Sequence, residues 1–238
     1  MTHSSESSER IVQQACQALA AGEMILLYDF DNREKETDVA MRSDCLTHRD
    51  IARMRNDAGG LICTAIPYEA GKKLNIPYAR EILHSVSLVE KIGDIPYDPQ
   101  NLSSFSLWVN HKNTFTGITD RDRALTASEI SHAVSTVLSG GSFSFSSDFR
   151  TPGHTPILIA AQELLAKRCG QTELSVTLAK IAQIPPVITI CEMLDDDSGY
   201  ALSKEDAIAY AKRHNAVFIE GADIVDFYET NGLSKPYV

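Results

Sequence analysis

The sequence predicts an α+β domain, with helices packed on a mixed β-sheet, and three observations lead there. Stretches of helical period and short strand-like apolar runs are interspersed without the regular strand–helix alternation of a doubly wound sheet. Neither a G-x-G-x-x-G nor a P-loop pattern occurs. A chain of 238 residues, 43% hydrophobic and 23% charged, is long enough to bury roughly 70–75% of its unfolded surface without disulfides or a structural metal. The expected organisation is a disordered N-terminus over residues 1–10, rich in Ser and Glu, followed by a single domain over residues 11–238.

Each element has its own signal. Ile11, Val12, Ala15, Cys16, Ala18 and Leu19 recur at helical spacing, with Gly22 where a helix would stop. Met24 to Tyr28 is an apolar run that fits a buried strand, and it empties at once into the acidic stretch from Asp29 to Asp38. Thr126 and Glu129 read as a capping box ahead of Ile130, Val134, Val137 and Leu138, closed by Gly140 and Gly141. Ser142 to Ser147 alternates Ser and Phe, as a strand or a mobile flap would. Ile157 to Arg168 reads as a helix ending at Gly170, and Thr172 to Ala182 as another, stopped by Pro185 and Pro186. Val187 to Cys191 is strand-like. Ser203 caps a helix running to Arg213 with Asn215 as its stop, and a Val217 to Ile219 strand and a last helix near Ala222 to Glu229 follow.

Charge and cysteine usage narrow the function. Lys and Arg number 22 against 32 Asp and Glu, a net charge of −10, and no basic cluster suits nucleic acid or an anionic membrane. A phosphorylated small molecule needs only one local cationic pocket. The five cysteines are odd in number and include no C-x-x-C pair, so a reducing compartment is inferred rather than a disulfide framework or zinc site. No apolar run approaches the roughly 20 residues of a membrane span. The expected location is cytoplasmic.

The densest chemistry is Asp29, Asp31, Arg33, Glu34, Glu36 and Asp38. In an extended segment Glu34, Glu36 and Asp38 share one face, where they repel one another unless a proton or a hard divalent cation is shared. A solvated acidic loop is the other reading. In Arg150-Thr-Pro-Gly-His154 a tight turn presents an imidazole suited to proton transfer, or simply holds a structural His. Arg168-Cys-Gly-Gln171-Thr172-Glu173 opens a helix, where exposed amides, the Thr hydroxyl and the Arg suit a phosphate or an ordinary N-cap. Glu192 ends a buried strand and reads as a base or as a cap for the following turn, and Cys63 follows a Gly pair and reads as apolar core.

In this order, Tyr28 to Asp38, Asp57 to Cys63, Thr114 to Asp120 with Asp122 and Arg123, Arg150 to His154, Gly170 to Glu173, and Ile190 to Met193 resemble the 3,4-dihydroxy-2-butanone 4-phosphate synthases of riboflavin biosynthesis, the archaeal members above all. The resemblance covers nearly the whole chain after residue 10. It implies an α+β homodimer with the active site near the dimer interface, using Mg²⁺, with Mn²⁺ as an alternative, to convert D-ribulose 5-phosphate into L-3,4-dihydroxy-2-butanone 4-phosphate and formate. By motif position it makes Glu34 a metal ligand and assigns Asp29, Arg33, Glu36, Asp38, His154 and Glu192 to acid–base and orienting roles. Arg168 and Thr172 match phosphate contacts, and Cys63, Thr116 and Arg150 match substrate-binding positions. The family's Gly-His-Thr-Glu motif supplies a second metal ligand from its His, and this chain has Gln171 there. A Gln carbonyl oxygen can bind Mg²⁺ but carries no titratable nitrogen. A relative acting on another sugar phosphate, or a non-catalytic pentose-phosphate-binding module, remains an alternative.

Overall fold

Apolar runs too short for helices form the centre of the molecule. The computed structural model describes residues 2–86, 96–98 and 100–233. Its elements are α1 (Thr2–Ala20), β1 (Ile25–Tyr28), β2 (Thr37–Arg42), α2 (His48–Asp57), β3 (Cys63–Ile66), α3 (Tyr68–Lys73), α4 (Ala79–Ser85), β4 (Phe105–His111), α5 (Asp120–Leu138), α6 (Phe145–Asp148), β5 (Phe149–Ile159), α7 (Gln171–Ile181), β6 (Ile188–Glu192), α8 (Lys204–His214), β7 (Val217–Glu220) and α9 (Gly221–Thr230). The strands form one seven-stranded sheet in the order β4-β5-β3-β6-β2-β1-β7. β1 pairs with β7, and β3 with β5, in parallel; every other pairing is antiparallel. This is the α+β class with a mixed sheet that the sequence predicts.

Helices cover both faces of the sheet. Ile25, Leu27, Ala40, Cys63, Ile188 and Ile190 face α1, α7 and α9, where Val12, Leu19, Leu174, Leu178 and Ile224 meet them. The alternate residues Leu26, Val39, Met41 and Cys191 face α2, α5 and α8 through Ile51, Met54, Ala127 and Ala207. A third cluster joins Ile66, Ile157 and Ile159 to Ala70 of α3 and to Ile130 and Val134 of α5. The period-2 alternation of β1, β2 and β6 thus sorts two apolar layers. Among the described residues no helix is long and apolar enough to cross a membrane.

Several elements differ from the sequence reading. The segment expected to be disordered is, from Thr2, the first half of α1, and Ser8 donates from it to Asp223 at 3.0 Å. Helix α5 starts seven residues before the supposed capping box: Thr119 is its cap, accepting from the Asp122 amide at 3.2 Å. Thr126 lies inside that helix, where its hydroxyl donates to the Asp122 carbonyl (2.9 Å) and accepts from the His111 amide (3.1 Å). The Ile157 to Arg168 stretch is not one helix but the end of β5 followed by a 3-10 turn, Leu164–Ala166. Its apolar run is the continuously buried sequence expected where a strand lies parallel to a neighbour under helices. Ser142 to Ser147 is neither a strand nor one loop, since α6 begins at Phe145.

Candidate active site

The sheet register assembles the carboxylates. Asp38 of β2 stands opposite Leu27 of β1 on one side and Glu192 of β6 on the other, and Cys63 of β3 pairs with Ile190. Ladder partners share a face, so Asp38, Glu192 and Cys63 lie on the side covered by α1, α7 and α9, at the end of β1 where Asp29 continues the alternation of Ile25 and Leu27. Like charges placed directly opposite on a sheet repel. Asp38 is fully buried, and neither of its carboxylate oxygens has a hydrogen-bond partner among the described residues.

Beyond β1 the acidic stretch is a turn rather than an extended strand, with Lys35 at φ 60°. Asp29 holds that turn: its carboxylate accepts the amides of Glu34 at 2.9 Å and Glu36 at 3.0 Å, and Arg33 lies 3.3 Å away. The turn still delivers Glu34 and Glu36 to the Asp38–Glu192 pair, as the electrostatics record. Burial, then the Glu34, Glu192 and Asp29 charges, push the Glu36 carboxyl up to about 7. Burial and then Glu192, Glu34, Glu36 and Asp29 hold Asp38 well above the usual carboxylate range. Glu192 is raised mainly by burial, with Glu34 adding to it. Burial followed by Glu192 and Asp38 likewise raises the Cys63 thiol, which stays neutral and lines the cluster. Asp31 turns away to accept from the Tyr28 hydroxyl at 2.7 Å.

The N-terminus of α7 reaches the cluster. Gln171 is buried, and its Nε2 donates to the carbonyls of Leu27 (3.0 Å) and Glu36 (3.1 Å). Two acceptors on one side fix the amide orientation, so Oε1 is the atom left over, and it has no partner among the described residues. Among the described residues no three His, Cys, Asp or Glu side chains are grouped as a metal site. The donors available instead are oxygens: the orphaned Gln171 Oε1, the unpartnered Asp38 carboxylate, Glu34 and Glu36. That set fits a hard, oxygen-preferring divalent ion.

Beside the carboxylates lies a cationic pocket. Arg33 is 2.8 Å from Glu34, and Arg168 is 2.5 Å from Glu173, a fully buried carboxylate that also accepts the Ala161 amide at 2.8 Å. Both guanidiniums lie against Gly170, where any Cβ would overlap Arg168 Nη1 and crowd Arg33 Nη2. Gly170 is the N-cap of α7 and offers no side-chain cap, so the first-turn amides, beside the buried Thr172, suit an anion.

The remaining predicted residues lie elsewhere. His154 is exposed on β5; its amide donates to Asn110 Oδ1 at 2.8 Å, and its Nδ1 lies 3.2 Å from Asn110 Nδ2 and 3.3 Å from Asn110 Oδ1. Asn110 Nδ2 also donates to the Thr116 carbonyl at 3.4 Å, so His154 and Thr116 form a group of their own. Arg150 lines a separate cleft of about 480 Å³ with Leu107, Phe143, Phe145 and Phe149. No hydrogen bond or ion pair joins this group to the carboxylates among the described residues. Sequence reasoning missed Asn110, which carries no motif signal alone, the packing role of Gly170, and Asp98, whose carboxylate lies 3.5 Å from Arg33 and 3.7 Å from Arg168.

A mixed sheet whose end carries buried carboxylates, a free amide oxygen and an arginine-lined anion pocket defines an enzyme of the α+β class. The family model described as 3,4-dihydroxy-2-butanone 4-phosphate synthase matches residues 13–227, and the chain belongs to that family. It is 48% identical to the 3,4-dihydroxy-2-butanone 4-phosphate synthase of Methanosarcina mazei, over 93% of this chain and 92% of that one. Identity to the Archaeoglobus fulgidus protein of the same name is 46%, over 91% and 93% of the two chains. A crystal structure of such a synthase in complex with two magnesium ions superposes with a TM-score of 0.77 at 25% identity, covering 93% of this chain and 98% of that one. The Candida albicans synthase gives 0.72 at 26% identity, covering 91% and 96%.

Proposed function

We propose that the protein converts D-ribulose 5-phosphate into L-3,4-dihydroxy-2-butanone 4-phosphate and formate for riboflavin biosynthesis, as a cytoplasmic, Mg²⁺-dependent carbon–carbon lyase. The observation that carries this reading is the cluster of Glu34, Glu36, Asp38 and Glu192 beside the Arg33–Arg168 pocket at the start of α7. One pocket there offers both phosphate recognition and several proton carriers.

Arg33, Arg168, Thr172 and the first amides of α7 hold the phosphate. Glu34 and Gln171 Oε1 would hold the divalent ion, which when bound supplies Lewis-acid stabilisation of charge on the sugar oxygens. Glu36, with its pKa near neutrality, and Asp38 remove the C3 proton and return protons as the C1 hydroxyl departs. Glu192 serves the later transfers, in which the carbon skeleton shifts and C4 leaves as formate. The five carbons of the substrate divide four and one between the products, with the water lost in the dehydration taken up again in the release of formate. Cys63 walls the pocket as a neutral thiol, and Asp29 is a positioning residue because its carboxylate is committed to the turn.

His154, Thr116 and Arg150 belong to the same site in a homodimer, reaching the carboxylate half of the partner subunit. Their separation from that half within one chain supports this arrangement. The test is formate release from D-ribulose 5-phosphate with Mg²⁺ and Mn²⁺, alongside Glu34→Gln. Formate from the unaltered chain and none from the variant is the expected result. Phosphate-dependent binding without formate at any metal concentration would instead leave a pentose-phosphate-binding module.

A further inference from the structure

Asp98 stands where a phosphate would be expected. Its Oδ2 lies 3.5 Å from Arg33 Nη2 and 3.7 Å from Arg168 Nε, while its Oδ1 accepts from Asn101 at 2.8 Å. Both contacts to arginine exceed the 2.7–2.9 Å or so of a tight charge-assisted hydrogen bond. The two guanidinium side chains are only 8% and 10% exposed, and the Nε of each has no hydrogen-bond partner among the described residues. Each guanidinium has a closer carboxylate, Glu34 at 2.8 Å for Arg33 and Glu173 at 2.5 Å for Arg168, and Asp98 is the loosely held one that the two share, over a glycine that leaves the helix start uncapped. A carboxylate carries one negative charge on two oxygens. A phosphate monoester carries nearly two charges at neutral pH and has three terminal oxygens that can accept from both Nε groups and the helix amides.

The geometry points to Asp98 as an internal counter-anion of the phosphate pocket, displaced when a phosphorylated ligand enters, and so a residue that sets how strongly an anion must bind to occupy the pocket. This rests on the reading that Arg33 and Arg168 bind the substrate phosphate. Displacing Asp98 costs the same whichever anion enters, so Asp98 lowers phosphate and carboxylate affinity by a common factor. Only an anion that gains enough from the arginines and the helix amides, as a phosphate dianion does, then occupies the pocket.

The experiment is calorimetric titration of inorganic phosphate and of acetate into the full chain and into Asp98→Asn, with Asp98→Ser as a second variant should the first misfold. Phosphate binding is expected to tighten about tenfold on removing the competing charge, and acetate to gain by no more than that. In turnover, KM for the sugar phosphate falls while kcat does not rise. Unchanged or weaker phosphate binding in folded variants overturns the proposal, because an ordinary structural ion pair behaves that way. Arg168→Gln separates the premise from the proposal. Its loss of phosphate binding upholds the pocket, whereas wild-type binding would remove the pocket and Asp98's role with it.

Discussion

At the scale of the residue, Gln171 shows why an amide suits this position. Its Nε2 satisfies two backbone carbonyls, Leu27 and Glu36, and so ties the start of α7 to β1 and to the acidic turn, leaving Oε1 bare. A Glu would offer more charge to a cation but no N–H for the carbonyls, and a Leu would offer neither. Gln171→Leu is therefore expected to destabilise the protein by about 2 kcal/mol, through the loss of two hydrogen bonds to backbone carbonyls, of which Glu36 keeps the Asp29 amide at 3.1 Å. That corresponds to a fall in Tm of about 4–8 °C for a chain of this size, and calorimetric titration should show weaker Mg²⁺ binding. A Leu variant with native Tm and native Mg²⁺ affinity would remove Gln171 from both tasks. The acidic residues of the site were legible in the sequence because charges crowding a strand end are conspicuous. Asp98 and Asn110 were not, since each acquires its role only from neighbours 65 and 44 positions away.

At the scale of the element, the decisive feature is the β2–β6 ladder, which places Asp38 against Glu192 inside the protein. A carboxyl whose pKa is raised on folding binds more protons in the native than in the unfolded state. Stability from such a group is present at low pH and is lost as pH rises through the window between the two values. For Glu36 that window runs from 4.5 to about 7, and burial and mutual repulsion move Asp38 and Glu192 the same way. The metal-free protein should therefore lose Tm as pH rises across this range, and Asp38→Asn should flatten the loss. Mg²⁺ should raise Tm more near pH 7.5 than near pH 5.5, since protons compete for the same oxygens. Thermal melts at the two pH values test this; a Tm of the metal-free protein that climbs through the window contradicts it. Helices α7 and α8 and strands β1, β6 and β7 were readable because local signals agreed with the tertiary outcome, down to Asn215 at φ 50° as the stop of α8. β5 and the start of α5 were not. The parallel pairing with β3 settles the strand, and the bonds that hold Thr126 inside α5 come partly from β4.

At the scale of the whole molecule, the candidate site residues of one chain fall into two groups. The carboxylates, Gln171 and the arginines occupy one, and Thr116, Asn110 and His154 the other, although Glu192 and His154 both project past the Cys63 end of the central strands. In the proposed homodimer a twofold axis would place the second group of one subunit over the first group of its partner, because an isologous interface repeats every contact twice. Phe115, 96% exposed beside Thr116, lies on a tip that Asp122 braces by accepting the Gly117 amide at 2.9 Å, an apolar projection suited to such an interface. If the two groups combine between subunits, Glu34→Gln and His154→Ala are each inactive alone yet complementary. Random mixing makes half the dimers hybrid, and each hybrid has one intact site and one doubly altered site, so formate release should recover to about a quarter of the unaltered rate. If the two groups serve the same chain, every site in the mixture carries one defect and nothing recovers. Refolding the two variants together and measuring formate release decides between these arrangements, and the absence of any recovery from mixtures shown to contain hybrid dimers would assign His154 to its own chain's site.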